Sequence, residues 1–218
     1  MIVKDAISQQ IYEDIDRRIR NREIKPGERL VINDLKKEYD VSSTPVRDAL
    51  SLLHRYGYIE NLGNARYAVI TVTEQRVRDL LELYWALQTI SVEFTFSHNK
   101  NYTYRYVKEA AEKFLAYKEQ GTYDSIRLYC DVLNVFADYN GNVCYSRLVD
   151  PLLGTFAVAF GNYIDVFPYN TTVEICQELL SGLEKNDKEM VLHALRRSVS
   201  CFYSYAEKHI FMKKADNS

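Results

Sequence analysis

The chain has 218 residues, 47% of them hydrophobic, 13% aromatic and 27% charged, with a formal net charge of −2. That composition excludes a disordered tail and leaves room for two small cores. Residues 1–70 hold 12 Lys and Arg against 11 Asp and Glu, and the remainder 16 against 19. Taken alone, this balance argues against a nucleic-acid protein, because phosphate binding is driven by excess Lys and Arg. Any DNA binding must come from where individual arginines point. The start, Met-Ile-Val-Lys-Asp, lacks the charged-then-apolar pattern of a signal peptide, and no apolar run approaches the roughly 20 residues that span a bilayer. A cytoplasmic protein with no membrane partner is expected. Cys130, Cys144, Cys176 and Cys201 are too far apart for a CxxC pair and read as buried, reduced thiols.

Ile7, Ile11, Ile15 and Ile19 fall on one face of a helix, with Glu13, Asp16, Arg17 and Arg20 on the other. Lys25-Pro26-Gly27 stops it. A second helix of about two turns begins near Asn33-Asp34, with Ile32, Leu35 and Tyr39 at helical spacing. Ser43-Thr44-Pro45 supplies a capping hydroxyl and a first-turn proline for a third helix running to about Tyr56, and Gly57 ends it. Its apolar face is Val46, Ala49, Leu50 and Leu53; Thr44, Arg47, Ser51 and His54 share the other. Two β-prone runs, 58–61 and 66–71, flank Leu62-Gly63-Asn64-Ala65 and read as a hairpin. Beyond Thr73 the pattern is helical throughout. A first helix carries Val77, Leu80, Leu81, Tyr84, Leu87, Ile90 and Phe94. Further helices are expected over about 104–120, 123–139, 143–166, 171–185 and 187–211, with breaks at Gly121, Asn140-Gly141, Phe167-Pro168 and Lys185-Asn186. The predicted fold class is mainly α: a winged helix-turn-helix over 1–72 and an antiparallel all-helical bundle over 73–218.

A helix fits the major groove, its N-terminal residues reach base edges, and a flanking hairpin can touch the backbone or minor groove. Arg47 is the strongest candidate for reading a base, since its planar fork matches guanine O6 and N7. Ser43 and Thr44 sit where hydroxyls and backbone N–H groups bind phosphate. Arg66 and Asn64 flank the wing tip, and Arg29 and Asn33 complete the candidate DNA contacts. The competing readings are that Ser43 is only a helix cap and that Arg47 merely pairs with Asp48 or Glu28.

The stretch Pro26-Gly27-Glu28-Arg29-Leu30, the run Val41 to Leu50 reading VSSTPVRDAL, and Gly57-Tyr58-Ile59-Glu60 closely resemble the GntR family of bacterial regulators. Two departures stand out: the wing here reads Gly63-Asn64-Ala65-Arg66 rather than Asn-Arg-Gly-Ala, and Ser43 stands where Arg is frequent. The C-terminal helices look like the FCD effector domain of the FadR branch. The resemblance implies a homodimer that binds double-stranded operator DNA, a repressor whose recognition helices are re-spaced by an effector. Half-sites about one turn, roughly 34 Å, apart make such a shift decisive.

Many relatives of that kind hold a metal on one Asp and three His. The matching positions here hold Tyr129, Leu133, Cys176 and Ser198. A leucine has no lone pair, so no metal and no cofactor are expected. His54, His98, His193 and His209 are scattered without i, i+4 spacing. Tyr84 and Gln88 take the places where the resemblance leads one to expect Arg and Glu. Tyr84, Gln88, Tyr129, Leu133, Phe136, Phe160, Cys176, Ser198 and Phe202 are the candidate effector contacts, with Trp85, Phe156 and Tyr163 on neighbouring helical positions. They suit a small apolar or aromatic effector oriented by tyrosine hydroxyls. The alternative is a solid aromatic core in a DNA-binding dimer without ligand. No Ser/His/Asp set, Gly-rich phosphate loop or metal-ligand spacing points to an enzyme.

Overall fold

Branched apolar residues one turn apart, with ion-pairing residues between them, drive the first helix, α1, over Ile2–Arg20. Ile11, Ile15 and Ile19 are buried, and the last turn passes into a left-handed residue, Arg22 (φ 62°). The computed structural model describes residues 2–64, 66–120, 122–138, 143–161 and 166–211. The expected turn at Asn140-Gly141, the break at Gly121, Ala65 of the wing and Tyr163 lie outside these described residues.

A short strand β1 (Arg29–Val31), absent from the expected elements, leads directly into α2 (Ile32–Glu38). Three residues are too few to show an alternating pattern in the sequence. Only their pairing with a distant strand makes them β. Helix α3 (Ser43–Arg55) follows a four-residue connection and buries Val46, Ala49, Leu50 and Leu53 completely. Val46, Leu50 and Leu53 each contribute about 1.5–3 kcal/mol on burial. Gly57, at φ 79°, closes the helix in the left-handed conformation, with its N–H on the His54 carbonyl. Strands β2 (Ile59–Asn61) and β3 (Arg66–Val69) form the expected hairpin, and β1 adds to the outer edge of β3, so the antiparallel order is β1-β3-β2. Leu30 pairs with Tyr67, and Asn61 pairs with Tyr67 from the other side.

The remaining elements are helical: α4 (Glu74–Phe94), α5 (Lys100–Ala116), α6 (Tyr123–Asp138), α7 (Val143–Phe160), α8 (Tyr169–Lys185) and α9 (Lys188–Ala206). The loop expected between α4 and α5 is instead a π turn, Thr95–Asn99, so the chain stays helical from Glu74 to Ala116. No Gly or Pro interrupts that stretch. Helix α7 ends at Phe160 rather than near 166, because Gly161 (φ 68°) turns the backbone left-handed. A second π turn, Glu207–Phe211, extends α9.

By internal contacts the chain divides into two units: Met1–Arg76 with Asp150–Asn162, and Val77–Val149 with Tyr163–Ser218. The boundary expected from sequence, at 72/73, leaves Asp150–Asn162 with the helical region, whereas the contacts put that segment in the first unit. There Ala157 and Val158 of α7 join the core of α1 and α3. The Gly154 N–H donates to the Tyr56 carbonyl (2.8 Å), Thr155 donates to the Gly57 carbonyl (3.3 Å), and Arg22 donates to the carbonyls of Val158 and of Ala159 (3.0 Å). In the second unit α5 packs on α6, and α8 packs on α9 and α5. Among the described residues no helix is long and apolar enough to cross a membrane.

Candidate nucleic-acid interface and helical interior

The surface face of α3 is polar: Thr44, Arg47, Asp48, Ser51 and His54 are exposed. Ser51 donates to the Arg47 carbonyl (2.8 Å), which fixes it on its own helix. The Arg47 guanidinium makes no hydrogen bond or ion pair with any described residue, so neither Asp48 nor Glu28 neutralises it. The residue flanking the start of α3 is Ser42 rather than Ser43, and it makes no side-chain cap. Ser43 is the first helical residue and partly exposed. With Pro45 lacking an N–H, the Ser43 and Thr44 N–H groups lie in the electropositive first turn, a setting that favours phosphate. At the wing tip Gly63 and Asn64 are both left-handed (φ 77° and 51°), and the Gly63 N–H donates to Asn61 Oδ1 (2.8 Å). Arg66 is exposed, with Nε 3.5 Å from the Gly63 carbonyl. Arg29 on β1 and Asn33 in the first turn of α2 are exposed as well.

Not every arginine of this unit is available. Arg17 binds Asp14 (2.6 Å) and Glu23 (3.0 Å), Arg18 binds Glu38 (2.6 Å), and Arg20 binds Asp16 (2.8 Å). Burial pushes the Asp14 carboxyl up, but hydrogen bonds from Arg17 and Tyr39 outweigh it and hold the group below its usual range. Tyr39, which donates to Asp14 (2.7 Å), is pushed up to about 12 by burial and by that bond. Arg17, Arg18 and Arg20 are therefore neutralised within the fold. Arg29, Arg47 and Arg66 make no ion pair with a carboxylate among the described residues.

In the second unit a chain of rings links four helices and the 166–168 turn. Phe114 meets Tyr129 (5.7 Å between centroids), Tyr129 meets Phe167 (5.0 Å), Phe167 meets Phe202 (4.9 Å), and Phe202 meets Tyr84 (6.2 Å). Gln88 donates to the Tyr84 hydroxyl (2.7 Å). Of the nine candidate effector residues, Tyr84, Gln88, Tyr129 and Phe202 are thus joined directly. Ser198 and Cys176 are buried beside Tyr129, and Leu133 lies one turn along α6 from it. Phe136 is buried with its carbonyl accepting from Ser91. Phe160 is elsewhere: it lies in the first unit, stacked on Phe156 (5.7 Å). Trp85 turns to Arg196, whose guanidinium lies 4.9 Å from its ring. Phe114, Phe167, Ser91 and Tyr145 (hydroxyl to the Leu87 carbonyl, 2.7 Å) were not anticipated. Each sits on an apolar helical stripe or beside Pro168 and carries no sequence mark separating it from ordinary core.

Several buried polar atoms here make no well-formed hydrogen bond with any described residue: Gln88 Oε1, the neighbouring Tyr129 OH and Ser198 Oγ, whose poorly aligned contact with each other falls short of one, and the hydroxyls of Thr95, Thr103 and Ser125. An orphaned buried group costs about 1–3 kcal/mol. Burial pushes the Tyr84 and Tyr129 phenols up, and the Cys176 thiol to about 12; no charged side chain opposes it at any of the three. A protonated thiol, two hydroxyls and a leucine do not make a metal site. Among the described residues no group of three or more His, Cys, Asp or Glu side chains is arranged to hold one. The expectation of buried thiols holds for Cys176; Cys144 is exposed and Cys130 and Cys201 are half-buried, since a helix surface tolerates a small sulfur side chain.

A three-helix core, a tight α2–α3 connection and a β-hairpin completed by β1 define a winged helix-turn-helix. Residues 7–69 match the family model for bacterial regulatory proteins of the gntR family. The uncharacterized HTH-type transcriptional regulator YdhC of Bacillus subtilis (strain 168) is 24% identical over 143 residues, 65% of this chain. The match spans 64% of that relative's length. Among solved structures, E. coli McbR/YncC superposes with a TM-score of 0.72 at 17% identity, covering 93% of this chain and 97% of the other. The protein Lar, described as controlling expression of the Listeria monocytogenes agr system and mediating virulence, gives 0.63 at 15% identity over 93% and 97%. These two likenesses establish the fold, helical part included.

Proposed function

We propose that the chain is a cytoplasmic, homodimeric transcriptional regulator that binds operator DNA through α3 and the wing, acts as a repressor, and is controlled by a small uncharged effector in its helical unit. The observation that carries the DNA reading is the contrast among arginines. Those of α1 are tied to carboxylates, while Arg47 on the exposed face of α3 and Arg29 and Arg66 around the sheet pair with none among the described residues. Arg47 reads a base, Ser43 and Thr44 hold phosphate at the helix start, and Asn33, Asn64 and Arg66 flank the groove. The match of residues 7–69 to a family of bacterial regulators supports the same reading.

The effector reading rests on the orphaned Gln88 Oε1, Tyr129 OH and Ser198 Oγ within the chain of rings. A ligand with an aromatic or alicyclic body and one hydroxyl or amide would satisfy them. A buried carboxylate would find no cation there and would pay a large desolvation cost. The ring contacts near 5 Å equally suit a solid core, so a regulator without effector is the second reading. Selection of a binding site from random double-stranded DNA, followed by gel-shift titration of Arg47→Ala, tests the first part. The variant should lose about 1–3 kcal/mol of specific binding; unchanged affinity removes Arg47 from base reading. A thermal-shift screen tests the second: a neutral phenol or alcohol that raises the melting temperature and alters operator binding supports the effector, and no hit favours the solid core.

A further inference from the structure

Where α9 passes into its terminal π turn, the helical unit has an open groove of about 480 Å3. One wall is a single face of the helix: Arg197, Ser200, Ser204 and Lys208, at intervals of three or four residues. The other is the entry to α8, with Pro168 and Thr171. Tyr205 and His209 close one end as a ring pair 4.5 Å apart. The lining carries two fixed positive charges, a titratable imidazole and several hydroxyls, and no carboxylate among the described residues.

The charges differ in availability. Arg197, while lining the groove, is also bound to Glu174 (2.5 Å) and Glu178 (3.1 Å), and Glu178 is held by His193 as well. Glu174 is largely exposed, so an incoming anion exchanges one solvated carboxylate contact for its own. Lys208 makes no ion pair with any described residue. The α8 entry adds to the same field: Pro168 precedes the helix without a side-chain cap, and the first intrahelical bond is Thr172 N–H to the Pro168 carbonyl (3.1 Å). The preceding N–H groups are left without an intrahelical acceptor. Val166, Pro168 and the Tyr205 ring supply an apolar side to the groove. The volume lies within the range of small-molecule sites.

We infer that this groove is a second ligand site, taking a small organic oxyanion, a phosphate monoester or a carboxylate, with its anionic head on Arg197 and Lys208 and its apolar body against Pro168 and Tyr205. The site is separate from the uncharged interior around Tyr129 and opposite to it in ligand chemistry.

Titration calorimetry of the full chain with phenyl phosphate, benzoate and phenol tests it. Saturable binding of at least one of the two anions is expected at about 1 mM or tighter, and any phenol binding, which belongs to the uncharged interior, should be unchanged by Lys208→Gln. The tighter anion identifies the head group. Lys208→Gln should weaken anion binding about fivefold and Arg197→Gln about tenfold. Arg197→Gln also frees two glutamates, so melting curves accompany both variants; the Lys208 variant removes no ion pair or hydrogen bond with a described residue and keeps the test decisive if the Arg197 variant unfolds. No saturation by about 10 mM anion, or equal anion affinity in wild type and Lys208→Gln, would overturn the assignment.

Discussion

Replacing Gly154 with alanine puts a methyl group where helix α7 lies directly on the turn that follows α3. A Cβ at that position overlaps the Tyr56 carbonyl and the Tyr58 ring, and lies 2.6 Å from the Tyr58 nitrogen. Two of these neighbours are backbone, held by the Tyr58 N–H to Leu53 bond (3.0 Å), so they cannot swing aside as a flexible side chain would. Forcing the methyl in costs about 1–3 kcal/mol, and displacing α7 stretches the Gly154 to Tyr56 hydrogen bond, about 1 kcal/mol more. Against this, alanine gains about 1 kcal/mol over glycine within a helix. The balance is a loss of about 2 kcal/mol, which for a chain of this size lowers the melting temperature by about 4–8 °C. Thermal unfolding followed by circular dichroism measures it, with gel shift on a selected operator as a second readout, since the disturbed turn adjoins α3. A variant as stable as wild type, or more stable, would mean that helix propensity dominates and that α7 is not seated on this turn.

The acid limb of stability should depend on Asp14. Its carboxyl titrates below the usual aspartate range in the folded chain, so its contribution is fully present above that range and is lost as pH falls through the lower folded value. Asp14→Asn is expected to be less stable than wild type at pH 7 by up to about 1 kcal/mol, because the pairs are partly exposed, and the difference should close at the lowest pH. Urea melts at both ends of the range check this, and a gap that is constant with pH would refute it. Among the thiols, iodoacetamide at pH 8 should label exposed Cys144 and leave buried Cys176 unreacted, since burial lifts the latter to about 12 and keeps it protonated. Peptide mapping by mass spectrometry reads this directly. Fast labelling of Cys176 would show that the interior opens to water.

Helical periodicity carried the domain at the N-terminus almost entirely. The face Val46, Ala49, Leu50 and Leu53 is fully buried, and its opposite, with Arg47, is exposed, because a period of 3.6 residues fixes which side chains share a side. Periodicity says that a face is buried, and is silent on what buries it. That is why Phe156 and Phe160, spaced as well as Tyr129 and Leu133 for a common cavity, lie in the first unit while the others lie in the second. One mark in the sequence did bear on this. A glycine in the middle of an apolar helix, between Leu153 and Thr155, costs about 1 kcal/mol, which close packing against another backbone offsets. The partner of Gly154 lies almost a hundred residues earlier in the chain, at Tyr56, and only the folded contact supplies it. The same distinction separates the two candidate ligand chemistries of the helical unit. Substitution of Tyr129, Leu133, Cys176 and Ser198 for charged or metal-binding residues was readable position by position. The groove of Arg197 and Lys208 was not, since a basic stripe on a helix is ordinarily a solvated face until a second element, here the entry to α8, closes over it.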